Sequence, residues 1–217
     1  MRPKTITRAP GAGKALGVLC FTATLAVLPS TAQSDDTKAT VAAVAPGHSQ
    51  LNVLAGRRAT VRGRALPALA GRTVLLQRAG GHGWATIDRA TTRADGRFAF
   101  RFRPQRPGSA RLRVLVDGTR QAVGRLNVYR RAAVSWYGPG LYGNKLSCGG
   151  RLTPGTLGVA HKTLPCGTRV TLRHGKRVIR VRVVDRGPYA GGREFDLTAA
   201  TSHRLRFDGV GSVLVTS

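Results

Sequence analysis

Between residues 49 and 130 the chain reads as short segments in which apolar and polar positions alternate. Ala59-Thr60-Val61-Arg62-Gly63 is one and Thr73-Val74-Leu75-Leu76-Gln77 another; Trp84 to Ala90, Arg97 to Arg103, Ala110 to Val116 and Gln121 to Tyr129 follow. A period of two sends alternate side chains to one face, so each segment predicts a strand with one buried side. Turn-forming residues separate them at Gly80-Gly81, Asp95-Gly96, Arg106-Pro107-Gly108 and Asp117-Gly118. Short strands at this regular spacing predict a β-sandwich.

The pattern returns nearer the C-terminus. Ile179, Val181 and Val183 share one face of an expected strand from Arg177 to Val184, and Arg180 and Arg182 share the other. Asp185 continues the apolar phase, which would bring its carboxyl out on the apolar side. Leu197 to Leu205 predicts one short helix, with Asp196 suited to its N-cap. The 28 Gly and 11 Pro favour tight loops over long helices, so the expected class is all-β.

The N-terminus alters the setting. Arg2, Lys4, Arg8 and Lys14 precede an uncharged apolar run from Ala15 to Leu28, then Pro29-Ser30-Thr31-Ala32. This predicts a secretory signal peptide over residues 1–32. Cys20 follows Val18-Leu19, without the small residue that lipidation needs, so no stable membrane anchor is expected after cleavage. An Ala/Thr-rich flexible tether is expected over residues 33–48, a sandwich over 49–130 and a second domain over 131–217. In an exported chain the remaining cysteines, Cys148 and Cys166, predict a disulfide worth about 3 kcal/mol. They lack CxxC spacing or a paired His, so no metal or cofactor is expected.

Charge then bears on partners. There are 36 Lys and Arg against 9 Asp and Glu, a formal +27. So basic a surface seeks a polyanion, or else reflects an Arg-rich coding bias with the arginines simply solvated. No zinc-knuckle spacing, RNP-type aromatic motif or Arg-rich helix supports nucleic acid. Outside the cell the available polyanions are peptidoglycan, with its stem carboxylates, and anionic wall polymers. A secreted, wall-associated monomer is the expectation.

Four stretches in order carry a family signature: Ala133-Val134-Ser135-Trp136-Tyr137-Gly138, Ala160-His161-Lys162-Thr163-Leu164-Pro165-Cys166-Gly167-Thr168, Val183-Val184-Asp185-Arg186-Gly187-Pro188-Tyr189, and Phe195-Asp196-Leu197-Thr198. Residues 131–217 thereby resemble the rare lipoprotein A family, whose barrel is shared with expansins. The resemblance implies a six-stranded double-psi β-barrel with a glycan groove, and for some members lytic transglycosylase activity on peptidoglycan. The segments before it are similar to immunoglobulin-like modules of exported bacterial proteins. Cys148 falls where the family often carries a glutamate-containing stretch, and a disulfide in such a barrel is more typical of expansins. The alternative reading is therefore an expansin-like protein that binds or loosens wall without cleavage.

The resemblance assigns catalysis to Asp185 and His161. Asp185 would serve as general acid and base; its competing role is to bond the amides of its own turn. His161 would orient the aspartate or meet the substrate; its competing role is to hold a turn backbone. Asp196 is the second candidate carboxylate. The barrel region has only Asp185, Glu194, Asp196 and Asp208. Ordinary glycoside hydrolysis uses a pair of flanking carboxylates. A lytic transglycosylase needs fewer, because the sugar's own 6-hydroxyl replaces water. Trp136, Tyr137, Tyr142 and Tyr189 are candidate sugar-stacking residues, with filling the barrel core as the competing role of Trp136, and Arg186 is a candidate for stem-peptide carboxylates.

Overall fold

The structure, a computed structural model, describes residues 43–189 and 191–217. The signal-peptide reading lies outside the described residues. The end of the expected tether, Ala43–Pro46, forms strand β1, antiparallel to β3 (Ala59–Leu66). No helix among the described residues is long and apolar enough to cross a membrane. The chain is mostly β, with one short helix.

The first half contains two sheets. One orders β1, β3 and β6 (Arg97–Phe102). The other joins β4 (Thr73–Gly80), β5 (Gly83–Thr91), β7 (Gly108–Val116) and the start of β8 (Thr119–Tyr137), with β2 (Asn52–Leu54) parallel to β8. The predicted alternation is realised in most segments: Ala59, Val61 and Ala65 of β3 and Phe98 and Phe100 of β6 share one core with Val74, Leu76, Leu112, Val114, Leu126 and Val128 of the second sheet, whereas β5, at the edge of that sheet, buries neither face. The Asp117-Gly118 turn closes β7 onto β8 with both residues at positive φ, 44° and 82°. That backbone matches the twist of a two-residue hairpin and explains the Asp-Gly choice.

The second half is a closed barrel. Its strands follow the order β12 (Phe195–Thr198), β9 (Gly158–His161), β11 (Arg177–Asp185), β10 (Arg169–His174), β13 (Gly211–Val215) and β8, and β12 pairs with β8 to complete the ring. Val134, Val159, Val170, Leu172, Val181, Val183, Phe195, Leu197 and Val213 fill it.

β8 belongs to both halves. Arg130 and Arg131, where the composition changes, lie inside this 19-residue strand, not at its end. From Leu126 onward its alternation runs through unbroken. Leu126 and Val128 enter the first core; Ala132 and Val134 enter the second. Arg130, in the same phase, sits between them.

The helix α1 (Ala199–Leu205) begins two residues later than the sequence suggested. Its N-cap is Thr198, which accepts from the Thr201 amide, whereas Asp196 remains inside β12. Thr198 and Thr201 also bond the backbone of Gly158, tying the helix to β9.

Candidate functional site

Simple alternation misplaces Asp185. Val183 pairs with Val159, but the next pairing joins Asp185 to Ala160, so Val184 and Asp185 together oppose one residue. This bulge shifts the phase by one. Asp185 leaves the apolar face and joins Ala160, Asp196 and Ser135 on the outside of the barrel. Gly158 makes room for the bulge: a Cβ there would lie 2.4 Å from Cγ2 of Val184.

Asp185 and Asp196 thus flank Ala160 from neighbouring strands, with Cα atoms about 10 Å apart from two interstrand steps. Asp185 Oδ1 accepts from the amides of Ser147, at 2.8 Å, and Arg186, at 2.9 Å. Its Oδ2 lies 3.4 Å from the Tyr137 hydroxyl. Asp196 Oδ1 accepts from the Ser135 hydroxyl at 2.5 Å. Burial raises the Tyr137 phenol pKa, and the negative charge of Asp185, its hydrogen bond and the charge of Asp196 push the same way. Tyr137 is therefore a neutral donor beside both carboxylates. Neither Asp185 nor Asp196 has an ion pair among the described residues.

The Cys148–Cys166 disulfide is formed, with Cα atoms 5.4 Å apart. It ties the loop that presents the Ser147 amide to the turn that follows β9. Arg186 clasps that turn from the other side. Its Nη1 donates to the carbonyls of His161 and Leu164, and its Nη2 lies 3.1 Å from Cys166 Sγ.

His161 faces the other way. It pairs with Phe195 on the inner surface, with ring centroids 4.6 Å apart. Its Nδ1 accepts from the amides of Thr163 and Leu164 at 3.1 and 3.0 Å, so Nε2 carries the proton of the neutral ring. Nε2 lies 3.8 Å from Glu194 Oε1. Burial lowers the His161 pKa, only partly opposed by Glu194. Glu194 is held by Arg130 through Nη1 and Nη2, and that hydrogen bonding lowers its pKa. No hydrogen bond or ion pair joins His161 to Asp185 among the described residues.

The aromatic candidates separate as well. Trp136 packs against the barrel core, donates to Asp208 Oδ1 at 3.0 Å and lines a cavity of about 420 Å³ with Phe207 and Ala199. Tyr142 is 39% and Tyr189 80% exposed, which leaves Tyr189 as the ring face most open to a sugar. Sequence reasoning did not single out Ser135 and the Ser147 amide. Only the strand register and the disulfide bring them to the carboxylates.

Residues 130–217 match the family model described as lytic transglycolase. The match supports a double-psi β-barrel for this half of the chain. The probable endolytic peptidoglycan transglycosylase RlpA of Synechocystis sp. is 40% identical over 109 residues, 48% of this chain and 34% of the relative. The corresponding protein of Aquifex aeolicus is 42% identical over 87 residues, covering 38% of each chain. The endolytic peptidoglycan transglycosylase RlpA of Campylobacter jejuni is 40% identical over 83 residues, 37% of this chain and 30% of the relative. The chain thus spans about a third of the length of these curated relatives.

Proposed function

We propose that the barrel is a peptidoglycan lytic transglycosylase, with Asp185 as its acid and base. The observation that carries this reading is the outer-face group of Asp185, Tyr137 and Asp196: two carboxylates without cations, beside a neutral phenol. The similarity of this half to peptidoglycan transglycosylases supports it. Asp185 protonates the glycosidic oxygen as its bond to C1 breaks. The resulting carboxylate takes the proton of the sugar's 6-hydroxyl as O6 closes on C1. The products are a free hydroxyl and a 1,6-anhydro end, and no water is consumed. Tyr137 donates to Asp185 Oδ2 while the carboxyl is ionised. Asp196 stabilises positive charge developing at C1. His161 contributes indirectly, by fixing the turn that Arg186 and the disulfide hold beside Asp185.

Residues 49–130 act as an immunoglobulin-like wall-facing module, and the protein works outside the cell on glycan strands and anionic wall polymers. The two sheets around one core and the +27 charge support this. The second reading is an expansin-like binder. The disulfide, and the use of Asp185 Oδ1 by two backbone amides, favour it.

Mass spectrometry of peptidoglycan products from the purified protein tests the choice. Anhydro-sugar ends are expected. Reducing ends would replace the scheme by hydrolysis, with Asp196 as second carboxylate. Intact strands despite wall binding would favour the expansin-like reading.

A further inference from the structure

A cavity of about 440 Å³ opens at the seam, lined by both halves of the chain. Strand register builds its barrel side. Arg173 of β10 pairs with Leu214 of β13, and Leu214 pairs with Arg131 of β8, so the two arginines flank one leucine on the same face. Their Cα atoms stand about 10 Å apart from two interstrand steps. The N-terminal side is the turn after β2. There the Ala55 amide donates to the Tyr129 carbonyl at 2.8 Å and the Arg57 amide to the Leu54 carbonyl at 3.0 Å, which brings Arg57 to the cavity.

The cavity offers hydrogen-bond donors and positive charge. Asn52 lies in its wall, oriented by a relay from behind. Ser109 Oγ donates to Asn127 Oδ1 at 2.6 Å, Asn127 Nδ2 to Asn52 Oδ1 at 2.9 Å, and the Tyr129 hydroxyl to the same Oδ1 at 3.1 Å. With Oδ1 engaged twice from the protein side, Asn52 Nδ2 is left to the cavity. Arg173 Nε donates to the Gly175 carbonyl at 2.9 Å, and neither of its Nη nitrogens bonds another described residue. Burial raises the Tyr129 phenol pKa and the charge of Arg173 opposes it, so the guanidinium lies near this hydroxyl. No carboxylate lines the cavity, and none of Arg57, Arg131 and Arg173 has an ion pair among the described residues.

We infer that this seam cavity, through Arg57, Arg131, Arg173 and Asn52 Nδ2, binds a phosphodiester group of an anionic polyol-phosphate polymer of the wall. This rests on the reading of the protein as working among anionic wall polymers, and it is independent of the cleavage reading. A carboxylate accepts hydrogen bonds in one plane. A tetrahedral phosphodiester accepts from several sides, as donors converging from β2, its turn, β8 and β10 require. A nucleic acid, the other phosphodiester polymer, binds through aromatic faces on which its bases stack. Tyr129, the phenol in the lining, is 1% exposed and presents no such face. Arg131 lies four residues before Ser135 on the same face of β8, so a polymer held here anchors the protein about 13 Å from the candidate glycan site.

The test measures binding of the full protein to a soluble poly(glycerol phosphate), to polygalacturonate, whose charges are carboxylates, and to a DNA oligomer of equal charge. At about 0.15 M salt the poly(glycerol phosphate) is expected to bind at least about ten-fold tighter than polygalacturonate. Arg131→Gln/Arg173→Gln is expected to erase about that factor. Asn52→Asp keeps the acceptor for Asn127 and Tyr129 but turns a carboxylate oxygen into the cavity, and is expected to do the same. Arg62→Gln/Arg101→Gln removes equal charge from β3 and β6 and is expected to change binding by less than about two-fold. All three variants are expected to retain cleavage of glycan strands stripped of their stem peptides by an amidase. Equal binding of poly(glycerol phosphate) and polygalacturonate, an unchanged preference in both cavity variants, or an equal loss in the β3–β6 variant would overturn the cavity while leaving the cleavage reading untouched. Tighter binding of the DNA, abolished by the cavity variants, would make the occupant a nucleic acid and overturn the inference too. Failure of the unaltered protein to bind any of the three polyanions would overturn the wall-polymer reading with it.

Discussion

Three of the barrel's four carboxylates fall into two clusters that handle charge in opposite ways. Glu194 sits at the seam between the two cores, gripped by Arg130 and faced by His161. Its charge is balanced and its oxygens are engaged. Asp185 and Asp196 lie on the outer face with only amides and hydroxyls as partners. The guanidinium of the adjacent Arg186 is turned onto backbone carbonyls. A neutralised carboxylate holds a structure together; an unneutralised one is available to exchange a proton or to meet positive charge in a sugar. In the proposed reading the first cluster serves stability and the second chemistry.

The sharpest way to break this contrast is Asp185→Asn. Asparagine keeps an acceptor for the Ser147 and Arg186 amides, so the fold is retained. Cleavage should fall by about 10²–10⁴-fold, the usual contribution of a general acid–base group. Full activity in this variant, read as anhydro ends released, would remove Asp185 from the role. Tyr137→Phe sharpens the same side. In the proposed scheme the phenol supports the carboxylate without transferring the proton, so kcat should fall by only about ten-fold. A loss as large as that of Asp185→Asn would make Tyr137 a direct participant.

On the other side, Glu194→Gln removes the charge that Arg130 needs. The side chains are 34% and 33% exposed, between a surface pair and a buried one. A loss of about 1–2 kcal/mol in denaturant unfolding is expected, with kcat on stripped glycan strands unchanged. A selective fall in kcat at full stability would move Glu194 into the catalytic group.

The contrast between the clusters was only half legible in the sequence. Alternation found β3, β6 and β11 because each buries one face, and the four motifs, occurring in order, pointed to the barrel. The bulge at Val184–Asp185 was not legible: one inserted residue reverses the phase, and Gly158, which permits it, lies on another strand. Asp196 and Thr198 are both good caps, and strand pairing decides between them. Arg130 and Arg131 suggest a boundary because the composition changes after them, and the strand passes from one core to the next there, with the glutamate that pairs with Arg130 64 residues away.

The smallest expected effect is on pH dependence, and it follows from His161. Burial places its folded pKa below the ordinary value of 6.5, so the unfolded chain binds the proton more readily. Its contribution to stability is then fully present above about pH 6.5 and is lost as pH falls toward the folded value. The Nδ1 lone pair works in the same direction. It accepts two turn amides, and a proton there abolishes both bonds. Protonation would also strengthen the attraction of Nε2 to Glu194, which keeps the net loss small. The Glu194 pKa is lowered too, by Arg130, so its contribution is lost in a separate window below 4.5. Thermal melting between pH 7.5 and 5, intervals of about half a unit, should show a shallow decline below 6.5 in the unaltered protein. His161→Gln, which keeps an acceptor but does not titrate, should flatten it. A decline of the same slope in that variant would show that another group sets the acid limb, and His161 would lose its place as the pH-sensitive pin of the turn.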